Sequence, residues 1–176
     1  GEVVKSTIDI TLQERVNAII ENHPRALNGP QLENAAAIII DVPTGNVLAY
    51  VGNTSDDHSL ENGNDVDVID APRSTGSILK PFLFAGMLSD GQIRPNTLIA
   101  DIPTDLSGYN PQNFNRSYDG AVPARRALAR SLNVPAVRML QQFRVERFHD
   151  LLKKIGLTTI NQPPDHYGLS LILGGA

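Results

Sequence analysis

The spacing of apolar residues predicts one amphipathic helix near the start of the chain. Four aliphatic residues follow the i, i+4, i+7, i+8 spacing that places side chains on one helix face: Leu12, Val16, Ile19 and Ile20. Thr11 and Glu14 have the spacing of a capping box, in which the two side chains bond the first free amides of a helix. We therefore expect an extended segment at 7–10 and a helix that ends near 22–24, which together form a strand and helix over 7–23.

Two apolar runs with a turn between them predict a β-hairpin over 35–51. The runs cover 35–42 and 47–51, are rich in β-branched and other apolar residues, and are separated by the turn sequence Pro43-Thr44-Gly45-Asn46. Neither run alternates between polar and apolar positions, so we expect a hairpin that is buried on both faces.

The segment from Ser77 to Leu88 contains one charged residue, Lys80, among twelve. A helix that is apolar on all sides is typical of a buried central helix. Pro81 is tolerated only in the first turn of a helix, so the helix should begin at about Ser77 and continue to residue 89, with Gly91 as its stop.

The region 95–160 is predicted to be a helical subdomain. Its apolar spacing, prolines and terminal glycine indicate three helices, over 123–130, 135–142 and 145–155.

Composition and charge restrict the possible functions. The 176 residues include 41% hydrophobic and 19% charged residues, as in an ordinary folded chain, and the net charge is -4 with 15 Lys and Arg. This charge gives no electrostatic footprint for a nucleic acid. The absence of cysteine excludes disulfides and thiolate chemistry. No apolar run is long enough to cross a bilayer, and the N-terminus is unlike a signal peptide, so any targeting segment would lie outside this chain.

Other polar clusters favour structural roles. The acidic stretch 53–76 lacks the residue order of a calcium loop and is predicted to be a solvated loop without metal; its acidic residues are Asp56, Asp57, Glu61, Asp65, Asp67 and Asp70. The histidines show no ligand spacing to one another: His23, His58, His149 and His166. Arg125, Arg126 and Arg130 on one predicted helix are expected to form a solvated face.

Ser77 and Lys80 form the first candidate for chemistry. Side chains three residues apart on a helix lie about 5–6 Å from each other on one face. Burial lowers the pKa of a lysine, and a partly neutral amine can take the proton of a neighbouring hydroxyl and make it a nucleophile. The alternative is a surface serine beside a lysine whose ammonium group reaches into water.

Ser131 and Asn133 form the second candidate. They flank Leu132 between two predicted helices, immediately before Pro135. A pair of this spacing in a loop can present a hydroxyl and an amide to one side. The simpler interpretation is helix capping, because Ser and Asn are common caps and proline fits the first helical position.

Together, Ser77-x-x-Lys80 and Ser131-x-Asn133 resemble the first two motifs of the penicillin-recognising serine acyltransferases. Residues 75–82 resemble the nucleophile segment of the class A, bifunctional penicillin-binding proteins, and residues 127–137 resemble their second motif region. Further segments also resemble that family, so that the likeness covers nearly the whole chain: 7–13, 41–45 and 109–114.

The resemblance implies an α/β (α+β) fold, the penicillin-binding transpeptidase fold related to serine β-lactamases, in which the hairpin belongs to a central antiparallel sheet. It implies that Ser77 is the nucleophile, Lys80 its base and Ser131 a proton relay. Gly76, Ser77 and Asn133 would bind the substrate, with the Ser77 amide also stabilising the oxyanion. The implied reaction cross-links peptidoglycan stem peptides through an acyl-enzyme that β-lactams inhibit, with no cofactor and no metal.

The chain departs from the family pattern after Ser131. A third motif, Lys-Thr-Gly, is missing, because Thr-Gly occurs only at 44–45 and 75–76. We therefore expect residues 1–176 to be the N-terminal part of a transpeptidase domain that is inactive by itself, from a membrane-anchored protein working outside the cytoplasmic membrane. An exposed strand edge at 35–42 is expected to make the fragment self-associate.

Three alternatives remain at this stage. A non-catalytic β-lactam sensor would be acylated without turning over peptide. A β-lactamase shares the first motif, but the sequence around both motifs favours the bifunctional family. A structural interaction domain, in which the motifs are helix caps, would leave Ser77 unmodified by β-lactams.

Overall fold

The computed structural model describes residues 3–26, 34–54, 63 and 65–175, without the side chains of residues 23–26. The chain divides into two compact units, Gly1–Pro72 and Arg73–Ala176. Within the described residues, no helix is both long and apolar enough to span a membrane.

The first unit contains one helix and a hairpin. Helix α1 covers Ile10–Ala26, and strands β1 (Ala37–Ile40) and β2 (Val47–Val51) pair antiparallel, with Ala37 opposite Val51. Val16 of α1 packs against Ala49 and Val51 of β2. The predicted hairpin is therefore present, with Gly45 in the left-handed conformation that its turn requires (φ 71°).

Two details of the first unit differ from the sequence-based expectation. The Asp9 side chain, and not that of Thr11, accepts a hydrogen bond from the Leu12 amide at 2.9 Å, so that the cap lies two residues earlier than in the proposed capping box. The helix also continues past Pro24 to Ala26.

The hairpin is not buried on both faces. Along β1 the exposure alternates, and Ile38 and Ile40 remain 42% and 51% exposed. The prediction was wrong because a run without polar residues does not show whether a second layer covers the sheet within the same unit.

The second unit is mainly helical. Its elements in chain order are helix α2 (Lys80–Ser89), strands β3 (Leu98–Asp101) and β4 (Gly120–Pro123), helices α3 (Ala124–Ala129), α4 (Asn133–Phe143), α5 (Val145–Lys154) and α6 (Pro164–Tyr167), and a 3-10 helix, Gly168–Leu173. Its core joins α2, α4, α5 and the 3-10 helix through fully buried side chains, among them Leu83, Leu140, Phe148, Leu152 and Leu171.

The strand pair β3–β4 corrects the expectation of a purely helical subdomain over 95–160. The two strands pair antiparallel, with Leu98 opposite Pro123 and Asp101 opposite Gly120. Each strand has four residues, and one contains Gly and Pro, so neither gives the periodic signal from which a strand is predicted.

Helix α2 begins at Lys80, three residues later than predicted, with residues 76–79 forming turns before it. Pro81 lies in its first turn as expected. The helix is buried on one side only, through Leu83 and Met87, while Phe82 on another side is 41% exposed. The expectation that it is buried all round was therefore wrong for the described residues.

Candidate active site

The Lys80 amine lies at the centre of a polar cluster formed by two segments. Lys80 is 2% exposed, and its Nζ donates hydrogen bonds to the Ser131 carbonyl oxygen at 2.8 Å, to Ser131 Oγ at 3.2 Å and to Asn133 Oδ1 at 2.8 Å. These three acceptors match the three donors of a charged ammonium group. The structure thus brings both candidate motifs together at one nitrogen.

The environment of Lys80 favours the neutral amine more than water does. Burial lowers the pKa of Lys80 from 10.5 to about 8. All three acceptors are uncharged, and no ion pair of Lys80 occurs in the described part of the chain. Near neutral pH a fraction of the molecules therefore carries an unprotonated amine, which can accept a proton.

Ser77 lies in the turn that leads into α2. The Lys80 amide donates to the Ser77 carbonyl oxygen at 3.2 Å, and the Ser77 side chain is half-buried. Among the described residues, no hydrogen bond involves the Ser77 hydroxyl. One backbone turn therefore fixes the positions of Ser77 and Lys80 relative to each other, and the serine hydroxyl is available to a ligand.

Ser131 and Asn133 do not cap α4 with their side chains. Leu132 is the cap residue, and Asn133 is the first helical residue. Ser131 has a φ of 53°, an unusual conformation for a residue with a side chain, which persists only when neighbouring contacts hold it. Its carbonyl and hydroxyl oxygens both contact the same amine. The capping interpretation of these two residues was wrong.

Sequence reasoning did not identify the side chain that accepts hydrogen bonds from the first amides of α4, which is that of Asn113. Its Oδ1 accepts the amides of Asn133 at 2.9 Å and Val134 at 3.2 Å, although it lies 20 residues earlier in the chain. In the sequence, the Tyr109–Phe114 segment that contains Asn113 is distinguished only by its resemblance to the family.

The turn before Ser77 is held by a glycine from the far end of the unit. Ser74 Oγ donates to the Gly174 carbonyl oxygen at 2.7 Å and accepts the Gly76 amide at 3.2 Å. A Cβ on Gly174 would lie 2.7 Å from the Gly76 nitrogen, and the φ of Gly174 is 102°. Gly76, the predicted substrate-binding glycine, is thus fixed on one side by this contact.

The other polar residues singled out in the sequence lie apart from this cluster. In the residues that the structure covers, no group of His, Asp and Glu could hold a metal ion. Asp67 accepts the Tyr50 hydroxyl at 2.5 Å, and the buried His149 contacts the Gln162 carbonyl oxygen at 3.0 Å. Several predicted loop residues and the side chain of one histidine lie outside the described residues: Asp56, Asp57, His58, Glu61 and His23.

The predicted arginine face is exposed to solvent, as expected. Arg125 and Arg126 of α3 are exposed, as expected. Arg130, the residue that follows α3, is also exposed and forms an ion pair with Asp119.

Comparison with known proteins gives the family context of this geometry. A family profile described as penicillin binding protein transpeptidase domain matches residues 35–171. The chain is 35% identical over 176 residues to penicillin-binding protein 1C of Escherichia coli K12, covering 100% of this chain and 22% of that protein. It is 29% identical over 176 residues to penicillin-binding protein 1F of Bacillus subtilis, covering 99% of this chain and 23% of that protein. The chain therefore spans about a fifth of the length of these curated relatives.

Solved structures agree with the fold. PonA1 of Mycobacterium tuberculosis, solved with penicillin V, matches with a TM-score of 0.75 at 24% identity, covering 98% of this chain and 46% of that one. A peptidoglycan glycosyltransferase of Burkholderia ambifaria matches with a TM-score of 0.78 at 21% identity, covering 97% and 55%. At these identities the likeness shows a shared fold, which is the mixed helix and sheet fold expected from the sequence.

Proposed function

Because the chain belongs to the penicillin-binding protein transpeptidase family, we propose that it carries the nucleophile, the base and the proton relay of a peptidoglycan D,D-transpeptidase. The observation that supports this proposal most strongly is the buried Lys80 amine, held by Ser131 and Asn133 one turn away from the free hydroxyl of Ser77. The substrate is a stem peptide that ends in two D-alanines.

In the first step, Ser77 Oγ attacks the carbonyl carbon between the two D-alanines, and its proton passes to the neutral Lys80 amine. With a pKa of about 8, about a tenth of the Lys80 side chains are neutral at pH 7. The bond to the leaving D-alanine then breaks, and the departing nitrogen takes a proton from Lys80. Ser131 Oγ, at 3.2 Å from Nζ, relays that proton.

In the second step, an amine of a neighbouring stem peptide attacks the ester carbonyl. The amine loses a proton to Lys80, the C–O bond to Ser77 breaks, and Ser77 Oγ recovers a proton as the new amide forms. The products are a cross-linked peptide and the free enzyme, so that the proton count closes over the cycle.

Two further groups are positioned to bind the donor peptide. Asn133 Nδ2 donates one N–H to the Gln112 carbonyl oxygen at 2.9 Å and has a second N–H for a peptide carbonyl. The backbone amide of Ser77, which lies in the turn before α2, is the proposed donor to the developing oxyanion. Gly76 borders this amide and permits close approach of the substrate.

The proposal extends to the setting of the whole protein. Peptidoglycan lies outside the cytoplasmic membrane, so we place the domain there, in a protein whose membrane anchor lies outside this chain. β-Lactams would acylate Ser77 as mimics of the D-alanyl-D-alanine end.

Turnover of a model substrate tests the proposal. The full-length protein is incubated with a pentapeptide ending in D-alanyl-D-alanine and with glycine as the amine acceptor, and the release of D-alanine and the peptide–glycine product are measured. Both products should form, and Ser77→Ala should abolish both. Ser89→Ala, an exposed serine at the end of α2, serves as the matched control and should retain activity.

The same assay, combined with a test for a β-lactam adduct, separates the alternatives. A protein that forms an adduct with a β-lactam but releases no D-alanine would be a sensor rather than a transpeptidase. A folded protein that does neither would be a structural domain, and the proposal would be wrong.

A further inference from the structure

A fully buried carboxylate, that of Asp101, lies behind the polar cluster. Asp101 ends β3 and is 0% exposed. Its Oδ1 accepts the Asn113 side-chain amide at 2.7 Å, and its Oδ2 accepts the Asp119 backbone amide at 3.0 Å. No ion pair of Asp101 occurs in the described part of the chain. Its charge is therefore stabilised chiefly by hydrogen bonds from groups whose positions it fixes in return.

One path of hydrogen bonds leads from Asp101 through Asn113 to the active site. The Asn113 side chain donates to Asp101 and to the Ser117 carbonyl oxygen, so its Oδ1 must face the start of α4. There it accepts the amide of Asn133, whose own Oδ1 accepts a hydrogen bond from Lys80 Nζ. Two residues, Asn113 and Asn133, thus connect the buried carboxylate to the amine.

A second path of polar contacts leads from Asp101 through Asp119 to Arg130. The amide of Asp119 bonds Asp101, and the side chain of Asp119 forms an ion pair with Arg130. Arg130 immediately precedes Ser131, whose φ of 53° needs support from its surroundings. Asp101 is consequently connected to both ends of the Ser131–Asn133 segment.

We propose that Asp101 is a positioning residue that holds Ser131 and Asn133 against Lys80, through Asn113 on one side and the Asp119–Arg130 pair on the other. This inference rests on the proposed function, because the position of these groups affects a rate only if Ser77 is acylated. Asp101 touches neither Ser77 nor Lys80 and contributes no group to the reaction itself.

A reciprocal exchange of side chains tests the proposal in the full-length protein, with penicillin V as the acylating probe. Asp101→Asn turns an N–H toward another donor, and Asn113→Asp places two carboxylates face to face. Each single variant should lower the rate constant of Ser77 acylation about 10- to 100-fold, measured well below its melting temperature. The double variant restores an amide opposite a carboxylate and keeps an acceptor for the Asn133 amide. Its rate constant of acylation should therefore be at least tenfold higher than that of either single variant. A folded double variant that acylates no faster than the single variants would overturn the proposal.

Leu152→Ala separates positioning from general stability. Leu152 is fully buried in the core of the same unit and is not part of the hydrogen-bonded network. This variant should lower the melting temperature at least as much as Asp101→Asn, yet acylate Ser77 at the unmodified rate. If the acylation rate falls in both variants in proportion to the fall in melting temperature, the role of Asp101 is merely structural.

Hydrogen exchange provides a readout that does not depend on acylation. Asp101→Asn should reduce protection of the Asn133 and Val134 amides, which bond Asn113, relative to that of Leu140 in the same helix. Leu152→Ala should lower the protection of all three amides together. If the unmodified protein forms no adduct on Ser77, the proposed function fails, and the exchange result still decides whether Asp101 holds Asn133. Unchanged relative protection in a folded Asp101→Asn variant would overturn the inference.

Discussion

At the scale of single residues, Lys80 is buried where its charged form lowers stability. An ammonium group that is 2% exposed and has only uncharged acceptors loses hydration that its hydrogen bonds replace in part. Its pKa therefore falls to about 8. The burial of the amine should thus affect the free energy of unfolding in a pH-dependent way.

The first prediction concerns stability and pH. Because the pKa of Lys80 is about 8 in the folded state and 10.5 in an ordinary environment, the unfolded state binds more protons between these values. The free energy of unfolding should therefore rise as the pH increases from about 8 to 10.5, by on the order of 3 kcal/mol, and this gain should be absent below pH 8. Urea unfolding of the unmodified protein and of Lys80→Met over this range isolates the contribution. Identical pH dependence in both proteins would contradict the account.

The second prediction concerns acylation by Lys80→Met. Methionine fills a similar volume without an amine, so acylation of Ser77 by penicillin V should slow by about 100- to 10,000-fold. At pH 7 the free energy of unfolding should be unchanged or higher, because the buried charge is gone. The matched control is Lys153→Met, an exposed lysine of α5, which should alter neither quantity. A marked fall in the stability of Lys80→Met would instead make the lysine structural.

The four candidate residues were accessible from the sequence, but their supporting network was not. Ser77 and Lys80 are linked by a local spacing, and Ser131 and Asn133 by another, so short motifs were enough to single them out. Asn113 and Asp101 act across 20 and 32 residues of chain from Asn133, and no local pattern reports that a loop amide caps a distant helix. For Asp101, the local signal in the sequence is its position at the end of the apolar run Leu98-Ile99-Ala100.

At the scale of elements, the turn that carries Ser77 depends on close packing by Gly174. The 3-10 helix Gly168–Leu173 ends at this glycine, whose carbonyl oxygen accepts the Ser74 hydroxyl. Because the backbone of Gly76 lies next to it, a side chain at position 174 would displace the turn that contains Ser77.

The third prediction compares two glycines of nearly equal φ. Gly156 has a φ of 99° and nothing within 4 Å of an added Cβ, whereas Gly174 has a φ of 102° and the Gly76 backbone in contact. Gly156→Ala should lower the free energy of unfolding by about 1–2 kcal/mol through backbone strain alone. Gly174→Ala should lower it further and also slow the acylation of Ser77. Equal losses of stability in thermal unfolding, with acylation retained in both variants, would show that Gly174 does not support the turn.

Elements with strong local signals were predicted well. The hairpin, α1 and the helices α3 to α5 appear at or within a few residues of their predicted places, because apolar periodicity and turn residues are encoded locally. The cap at Asp9 and the start of α2 at Lys80 were displaced from prediction, since several residues near a helix end can serve as its start. The strands β3 and β4 were missed because they are short and gain their stability from pairing with each other.

At the scale of the whole molecule, the two units differ in how much apolar surface they bury. The second unit has a core formed by helices from throughout its length. In the described part of the first unit, three apolar residues are buried, Val16, Ala49 and Val51, together with partly buried neighbours. Strand β1 has one hydrogen-bonded neighbour among the described residues, β2, and exposes Ile38 and Ile40. The hairpin therefore offers a strand edge and an exposed apolar face to another chain.

The fourth prediction is that the 176-residue chain self-associates through the edge of β1. Light scattering should give a mass above 19.1 kDa that rises with concentration. Ile38→Lys should shift the chain toward monomer, because a charged residue on an edge strand opposes pairing with another chain. Phe114→Lys replaces a fully exposed hydrophobic residue outside the hairpin and should leave association unchanged. A monodisperse monomer at all concentrations would contradict the prediction.

The most direct test of the central claim, that Ser77 is the nucleophile of a penicillin-reactive acyltransferase, is the intact mass of the full-length protein after incubation with penicillin V. The unmodified protein and Ser89→Ala should each gain one adduct of the mass of penicillin V, and Ser77→Ala should gain none. A folded protein without an adduct, or an adduct that persists in Ser77→Ala, would contradict the account.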